Sequence, residues 1–267
     1  MQVVPVTVHS RGFGTTMRRD AWWVSPVVIF LGLSAFVVYA TWAAFQNDHY
    51  TFGPYLSPFY APELFGASPH AWFGPKPGLW PAWLPFSPAL LILPFPGLFR
   101  VTCYYYRGGY YKAFWADPPA CAVGEPRTGY RGEHSFPLIL QNAHRFFMWV
   151  AIIFIGLLAW DVWKACWFTD TATGVTAFGI GVGTLVLAVN VVLLSCYTWG
   201  CHVLRHVVGG RFDEVSKHPM CDKAYVCVSA LNSRHMLFAW CSLISVAFSD
   251  IYVRLCSMGI WTDLRIL

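Results

Sequence analysis

The stretch LILQNAHRFFMWVAIIFIGLLAWDVW, residues 138–163, decides the fold of this chain. It is an almost uninterrupted apolar run, and about 20 apolar residues in a helix are enough to cross the hydrocarbon core of a bilayer. The whole chain has the same character, because 57% of its residues are hydrophobic and 12% are charged, whereas an average soluble domain has about 25% charged residues. The sequence therefore predicts an integral membrane protein.

Four more segments are long and apolar enough to cross a bilayer, so the sequence predicts five transmembrane helices. The predicted fold is an all-α bundle that forms a single membrane domain over residues 1–267. The predicted helices are 22–45, 86–106, 138–163, 174–204 and 230–255. Pro94 and Pro96 should kink the second helix, and the glycines at the start of the fourth are typical of close helix packing.

The basic residues predict how the bundle is oriented. Of the 18 Lys and Arg residues, 13 lie in the N-terminal tail, in or near the connection between the second and third helices, or in or near the connection between the fourth and fifth. Short segments rich in Lys and Arg stay in the cytoplasm. We therefore expect a cytoplasmic N-terminus and an external C-terminus.

The two longest connections differ in composition. The predicted external loop, residues 47–85, is rich in Pro, Gly and aromatic residues and should lie over the outer face of the membrane. The predicted cytoplasmic loop, residues 107–137, is dense in Tyr, Trp and Arg, which is typical of a protein-docking surface. An amphipathic loop that lies on lipid is the alternative interpretation of this second segment.

Charge and cysteine usage limit the classes of partner. The net charge is +5, but the basic residues are divided among three segments, which indicates membrane orientation rather than binding to nucleic acid. Most of the nine cysteines fall on the predicted cytoplasmic side, where thiols stay reduced. Metal ligation or packing is therefore favoured over disulfides. Four cysteines are best interpreted as small apolar fillers: Cys103, Cys166, Cys241 and Cys256.

Histidines and cysteines gather at the cytoplasmic ends of the predicted helices. His144 is near the start of the third helix and His235 near the start of the fifth, and the fourth helix returns to the same side. The remaining members of this group are Cys196, Cys201, His202 and His206 at the end of the fourth helix, and Cys227 before the fifth. Ionisable residues inside a membrane are costly and often functional, so we predict a site at this depth.

Two redox centres fit these side chains. Paired histidines on facing helices would hold haem b, and two cysteines with two histidines would hold a Rieske-type [2Fe–2S] cluster. The two short Cys–His motifs usual in Rieske proteins are absent from the sequence. A third interpretation is a transporter or non-redox scaffold, in which these side chains only pack.

Four stretches of the sequence resemble the membrane subunit of the actinobacterial-type succinate dehydrogenase. They are CYYYRGGYYKAFWADPPACAVGEP (103–126), FPLILQNAHRFF (136–147), CYTWGCHVLRHVVGG (196–210) and RLCSMGIWTDLRI (254–266). The resemblance covers nearly everything after Arg100 and is weaker before it. It agrees with five helices and a cytoplasmic N-terminus.

The resemblance implies a function and partners. The subunit would hold a flavoprotein subunit and an iron–sulfur subunit at the cytoplasmic face of the bacterial plasma membrane. Electrons from succinate would pass through these partners into the membrane and reduce a quinone, expected to be menaquinone. Relatives in the wider class carry two haems b, whereas this branch is thought to carry a Rieske-like [2Fe–2S] cluster.

The positions of the histidines favour the cluster over two haems. Two bis-histidine haems would need four histidines within the membrane, some of them near the outer side, and the first two predicted helices contain none. One haem between His144 and either His202 or His206 is the alternative. The predicted metal ligands are Cys201, His202, His206, Cys227 and His235, with Cys121 and Cys196 as reserves for the second thiolate.

The sequence places the dehydrogenase chemistry in other subunits. It contains no flavin or nucleotide fingerprint such as G-x-G-x-x-G. We therefore expect a subunit of succinate:quinone oxidoreductase with no activity of its own. Tyr105, Arg145 and Arg234 are the residues predicted to position the quinone ring.

Overall fold

The computed structural model describes residues 12–127, 134–136, 138–170 and 173–267. This part of the chain is mainly helical, with two small antiparallel hairpins. It divides into two compact units. The first comprises Met1–Ala35 and Val101–Ala143, and the second comprises Phe36–Arg100 and His144–Leu267. Residues 128–133 and 137 of the predicted docking loop lie outside the described residues.

The elements are named here in chain order. The helices are α1 (Val24–Gln46), α2 (Pro88–Ile92), α3 (Pro94–Val101), α4 (Tyr104–Tyr110), α5 (His144–Lys164), α6 (Val182–Trp199), α7 (His202–Gly209), α8 (Pro219–Asn232) and α9 (His235–Ser257). The strands are β1 (Thr51–Phe52), β2 (Tyr55–Leu56), β3 (Trp167–Thr169) and β4 (Thr176–Phe178). A π-helical turn (Tyr111–Trp115) and 3₁₀ turns (Leu138–Ala143 and Val215–Lys217) complete the described helical structure.

Four helices in the described residues are long and apolar enough to cross a membrane. These candidate spans are Val24–Gln46, Ile139–Lys164, Val182–Trp199 and His235–Ser257. They correspond to the first, third, fourth and fifth predicted helices. The prediction of a membrane protein built from helices is confirmed, but the count of five spans is not.

The prediction of one helix over 86–106 is wrong. The segment is divided into α2, α3 and α4, with breaks at Leu93 and at Thr102–Cys103. Proline has no backbone N–H to donate and clashes with the preceding turn, which explains why Pro94 begins a new helix rather than continuing α2. Cys103 has extended backbone angles and forms the N-cap of α4. The result is a chain of short helices in place of a single long one.

The predicted boundaries of the fourth and fifth helices, 174–204 and 230–255, are also wrong. Residues before Val182 form a hairpin instead, because β4 pairs with β3 in antiparallel register. The fourth helix ends at Trp199 and the chain restarts as α7. The fifth helix begins only at His235, since residues up to Asn232 belong to α8.

In the first unit, the predicted cytoplasmic loop folds against the N-terminal tail. Gly14 N donates to Gly124 O at 3.0 Å, and Gly124 N donates to Thr15 O at 2.9 Å. Phe30 on α1 packs against Phe114 with ring centroids 4.8 Å apart. The loop before the undescribed residues is therefore an ordered structure, with helical turns between Tyr104 and Trp115.

In the second unit, α6 packs against both α5 and α9. The predicted external loop folds back onto these helices, and its tyrosines are buried. Tyr50 stacks on Tyr60 at 4.1 Å, and the Tyr60 hydroxyl donates to Ala43 O at 2.7 Å. Burial of aromatic rings contributes most of the packing energy in such a loop, so this segment is fixed to the bundle.

The glycines at the start of α6 accommodate this loop. A Cβ atom on Gly183 would lie 2.4 Å from the ring of Tyr55, and one on Gly181 would lie 2.3 Å from its hydroxyl. These contacts are closer than any real Cβ allows. The small residues that the sequence assigned to helix–helix packing therefore give room to an aromatic side chain of the loop.

Candidate redox site

The most deeply buried His–Cys pair of the second unit is His144 with Cys201. His144 is the first residue of α5 and Cys201 is the N-cap of α7. The two side chains are 1% and 2% exposed. His144 Nε2 lies 3.1 Å from Cys201 Sγ. A soft thiol and an imidazole are thus in direct contact inside an apolar bundle.

The break between α6 and α7 creates this contact. Gly200 ends α6, and a Cβ atom at this position would lie 2.8 Å from Cys196 O. The side chain of Asn232 donates to Gly200 O at 2.7 Å and satisfies a carbonyl that the helix end leaves open. Because the chain turns here, Cys201 is the N-cap of α7 rather than part of the predicted fourth helix, 174–204.

Aromatic rings connect this pair with His235. Phe99 stacks on His144 with centroids 4.7 Å apart, and it meets the edge of Tyr197 at 5.5 Å. Tyr197 in turn stacks on His235 at 4.9 Å. His144, Cys201 and His235 therefore surround one pair of rings at the same end of the bundle.

A half-buried cation lies beside these rings. The guanidinium of Arg100 is 4.7 Å from the centroid of Tyr197. It donates to Ser242 Oγ at 3.0 Å and to Ala239 O at 3.3 Å, both on α9. Arg100 is not among the residues that the sequence predicts for the site. Its position at the start of the aromatic RVTCYYY stretch was the available signal.

The other predicted ligands are placed elsewhere. His202 and His206 form their own exposed pair on α7, with 3.0 Å between the two Nε2 atoms. The pKa of His202 is held below its usual value by partial desolvation and by the neighbouring His206 and Arg205. Cys227 on α8 is exposed.

The reserve cysteines and the histidines of the haem alternative differ in their exposure. Cys121 is exposed and Cys196 is half-buried. For the haem alternative, His144 is buried whereas both candidate partners, His202 and His206, are exposed.

The residues predicted to bind quinone lie in two units. Tyr105 belongs to the first unit, where its ring meets the edge of Tyr106 at 5.5 Å. Arg145 and Arg234 belong to the second unit and are both exposed. The guanidinium of Arg145 lies 4.9 Å from the ring of Phe146.

An apolar cleft of about 110 Å³ begins at the same aromatic pair. Phe99, Arg100 and Tyr197 line one end, and Pro58 and Phe59 of the predicted external loop line the other. An engineered cavity of about 150 Å³ is known to hold benzene. A cleft of about 110 Å³ is smaller than a cavity that holds one benzene ring, so it suits a flexible apolar chain better than the two-ring head group of a quinone such as menaquinone.

The side chains near the Phe99–Tyr197 pair are of the types that bind a metal or an iron–sulfur cluster. They are fewer than a complete ligand set requires. Imidazole and thiolate are the ligands of a Rieske-type centre, which needs two of each. The second unit brings one buried thiol and two imidazoles around the Phe99–Tyr197 pair. No group of three or more His, Cys, Asp or Glu side chains with metal-binding spacing occurs in the part of the chain that the structure describes.

These features define a polytopic helical membrane protein with an imidazole and a thiol buried at one end of its bundle. A model of the family described as actinobacterial succinate dehydrogenase subunit SdhC matches residues 24–259. The chain therefore belongs to that family and is a membrane subunit of a succinate dehydrogenase complex.

A solved structure supports this assignment. A chain of the structure described as "Mycobacterium smegmatis Sdh1 complex in the apo form" is similar to this one, with 43% sequence identity and a TM-score of 0.84. The match covers 94% of each chain. No curated protein sequence matches the chain.

Proposed function

We propose that this subunit passes electrons from its partner subunits to menaquinone through a Rieske-type [2Fe–2S] cluster. The observation that carries the proposal is the buried contact between His144 and Cys201, at 3.1 Å, in a chain of the SdhC family. Family membership supplies the electron source, and the pair supplies ligands of the right chemistry. A thiolate and a neutral imidazole are both good ligands for iron.

His144, Cys201 and His235 would hold the cluster, with one further cysteine as the fourth ligand. This replaces His202 and His206 as the preferred imidazoles, because those two are exposed and paired with each other. When bound, such a cluster accepts and donates one electron at a potential that imidazole ligands raise. The residues of the chain keep the site dry, since Phe99 and Tyr197 stack on its two histidines.

The remaining parts of the proposal follow from the family. The partners would be a flavoprotein subunit and an iron–sulfur subunit on the cytoplasmic face of the bacterial plasma membrane. The quinone head would be positioned by Tyr105, Arg145 or Arg234, and its isoprenoid chain would lie in the cleft next to Tyr197. Succinate oxidation itself would take place in the partners.

Electron paramagnetic resonance of the intact, reduced complex tests the cluster. The variants Cys201→Ser, His144→Gln and His235→Gln should each remove a Rieske-type signal, while the signals of the partner clusters serve as an internal reference. The matched controls His202→Gln and His206→Gln should retain it. A signal that survives both Cys201→Ser and His144→Gln, or haem α-bands in the optical spectrum of the reduced complex, would contradict the proposal.

A serine scan identifies the fourth ligand. Cys103, Cys121, Cys196 and Cys227 are replaced one at a time in the complex. We expect one of these variants to lose the Rieske-type signal and the other three to keep it. If all four keep it, the two-thiolate cluster is contradicted for this set.

Labelling with a membrane-impermeant maleimide tests the orientation. Cys121 is exposed on the predicted cytoplasmic side, and an Asp170→Cys variant would place a thiol in the β3–β4 hairpin on the predicted outer side. Intact cells should label the second and not the first. The reverse pattern would contradict a cytoplasmic N-terminus.

A further inference from the structure

The second unit contains a small polar cavity in the half of the bundle opposite the Cys–His end. Asp161 lies one turn before the end of α5, and Asn190 lies near the middle of α6. Asp161 is 8% exposed and Asn190 is 1% exposed. Both line a cavity of about 10 Å³ that is otherwise enclosed by apolar side chains, including Leu56 and Leu187.

Three polar atoms at this cavity have no hydrogen-bond partner in the protein. They are Asp161 Oδ2, Asn190 Oδ1 and Asn190 Nδ2. The other carboxylate oxygen, Asp161 Oδ1, pairs with Lys164 Nζ at 2.6 Å. Buried polar groups are almost always hydrogen-bonded, either to protein or to ordered water. These three atoms therefore indicate a small bound species.

Water fits the cavity in volume and in chemistry. A cavity holds one water when the centre of a water-sized sphere can occupy about 10–15 Å³ of it, and a buried water needs two to four polar partners. A water molecule can donate to Asp161 Oδ2 and Asn190 Oδ1 and accept from Asn190 Nδ2. A metal cation could not accept from that amide N–H group.

An ion pair joins Asp161 at the cavity to Lys164 at the end of the candidate span. Lys164 ends the candidate span, and its side chain is 30% exposed, whereas that of Asp161 is 11% exposed. His70 interacts electrostatically with both of them, and with Glu63. Ionisable side chains inside membrane bundles commonly mark proton relays.

We propose that Asp161, Asn190 and one bound water form a buried proton-exchange site, reached from the predicted outer face through Lys164. A proton from bulk water binds the Asp161 carboxylate and forms its O–H bond, and the donor hydronium becomes water. Lys164 on the same helix supplies the positive charge that faces the carboxylate, and His70 faces it from the loop. Asn190 is neutral and holds the water from α6.

Infrared spectroscopy of the intact complex tests the proton. On acidification the wild type should gain a carboxylic C=O band that shifts after exchange into heavy water. The band should be lost in Asp161→Asn, be shifted in Asn190→Leu, and be unchanged in Asp170→Asn, the control at an exposed aspartate. A band that survives Asp161→Asn, or that fails to shift in heavy water, would overturn the proposal.

An experimental map of the complex at a resolution that shows ordered waters tests the occupant. Density for one water should lie between Asp161 and Asn190 and should disappear in Asn190→Leu. A dry cavity, or a direct hydrogen bond between the two side chains, would overturn the site. Neither measurement depends on iron or quinone. The proton-exchange site and the proposed electron-transfer function can therefore each be refuted without the other.

Discussion

The two ends of the second unit contain different kinds of buried polar side chain. At the end with His144 and Cys201, the buried groups are neutral or soft and are enclosed by stacked rings. At the other end lie the buried carboxylates of the described residues, which are Glu63, Asp161 and Asp250. One bundle therefore separates side chains suited to metal ligation from side chains suited to charge pairing and proton binding.

The charged end is held by a network around Asp250. This carboxylate accepts from the Tyr39 hydroxyl at 2.5 Å and from the Ser57 hydroxyl, and it pairs with Arg254 Nε at 3.3 Å. Arg254 also donates to Asp48 O at 2.7 Å. The network therefore joins α1, α9 and the predicted external loop.

The largest expected effect comes from breaking this network with Asp250→Leu. Arg254 is 4% exposed, so the change leaves a buried charge without its partner. Such losses cost about 3–5 kcal/mol, and the melting temperature of the purified complex should fall sharply. The double variant Asp250→Leu/Arg254→Met should recover part of the loss. If Asp250→Leu alone is as stable as wild type, the ion pair between Asp250 and Arg254 does not stabilise the fold.

The second effect tests Arg100, the cation that lies against the ring of Tyr197. Arg100→Leu removes the bonds to Ser242 and Ala239 and the contact with Tyr197. Hydrogen bonds from charged groups contribute about 1.5–3 kcal/mol, so a loss of that size is expected in the same thermal assay. The matched control is Arg211→Leu at an exposed site, for which about 0.5 kcal/mol or less is expected. Equal losses in Arg100→Leu and Arg211→Leu would show that the contacts of Arg100 do not stabilise the protein.

The third effect concerns packing at the charged end. Gly183→Ala would place a Cβ atom 2.4 Å from the Tyr55 ring, and overpacking of this kind costs about 1–3 kcal/mol. The control is Gly156→Ala in α5, where a Cβ atom meets nothing within 4 Å. That control should be neutral or stabilising, because alanine favours helix more than glycine does. If both variants behave alike, Tyr55 is not packed as described.

The smallest effect is the pH dependence that His202 gives to the stability of the protein. The folded protein lowers the pKa of His202 below its ordinary value of 6.5, so folding favours the neutral ring. The resulting stability is fully present above about pH 6.5 and is lost as the pH falls through the folded pKa. His202→Gln should flatten the slope of melting temperature against pH between about pH 7.5 and 5.5. An unchanged slope would show that this ring does not contribute.

Some parts of the site could be predicted from residues alone. The apolar runs locate α1, α5, α6 and α9, because a bilayer imposes length and composition on any helix that crosses it. The depth of His144 and His235 follows directly, since each begins its helix. Cys201 could be assigned to the same end for the same reason.

The choice of partners could not be predicted in this way. A helical wheel places Cys201 about 100° from each of its neighbours in the chain only if the helix continues, and this helix stops at Trp199. The contact of Cys201 with His144 depends on a turn held by Gly200 and Asn232. The contact between His202 and His206, in contrast, is local, because residues four apart lie on one face of α7.

By itself the sequence determined the membrane class, the long helices and the end at which the histidines and cysteines gather, because bilayer thickness and the cost of buried charge act on composition and spacing. Only the tertiary structure decided that His144 meets Cys201, that Tyr197 stacks on His235, and that Asp161 and Asn190 share a cavity. The physical reason is that these contacts join segments far apart in the chain, and short breaks in the helices fix their geometry. Local periodicity does not record such breaks.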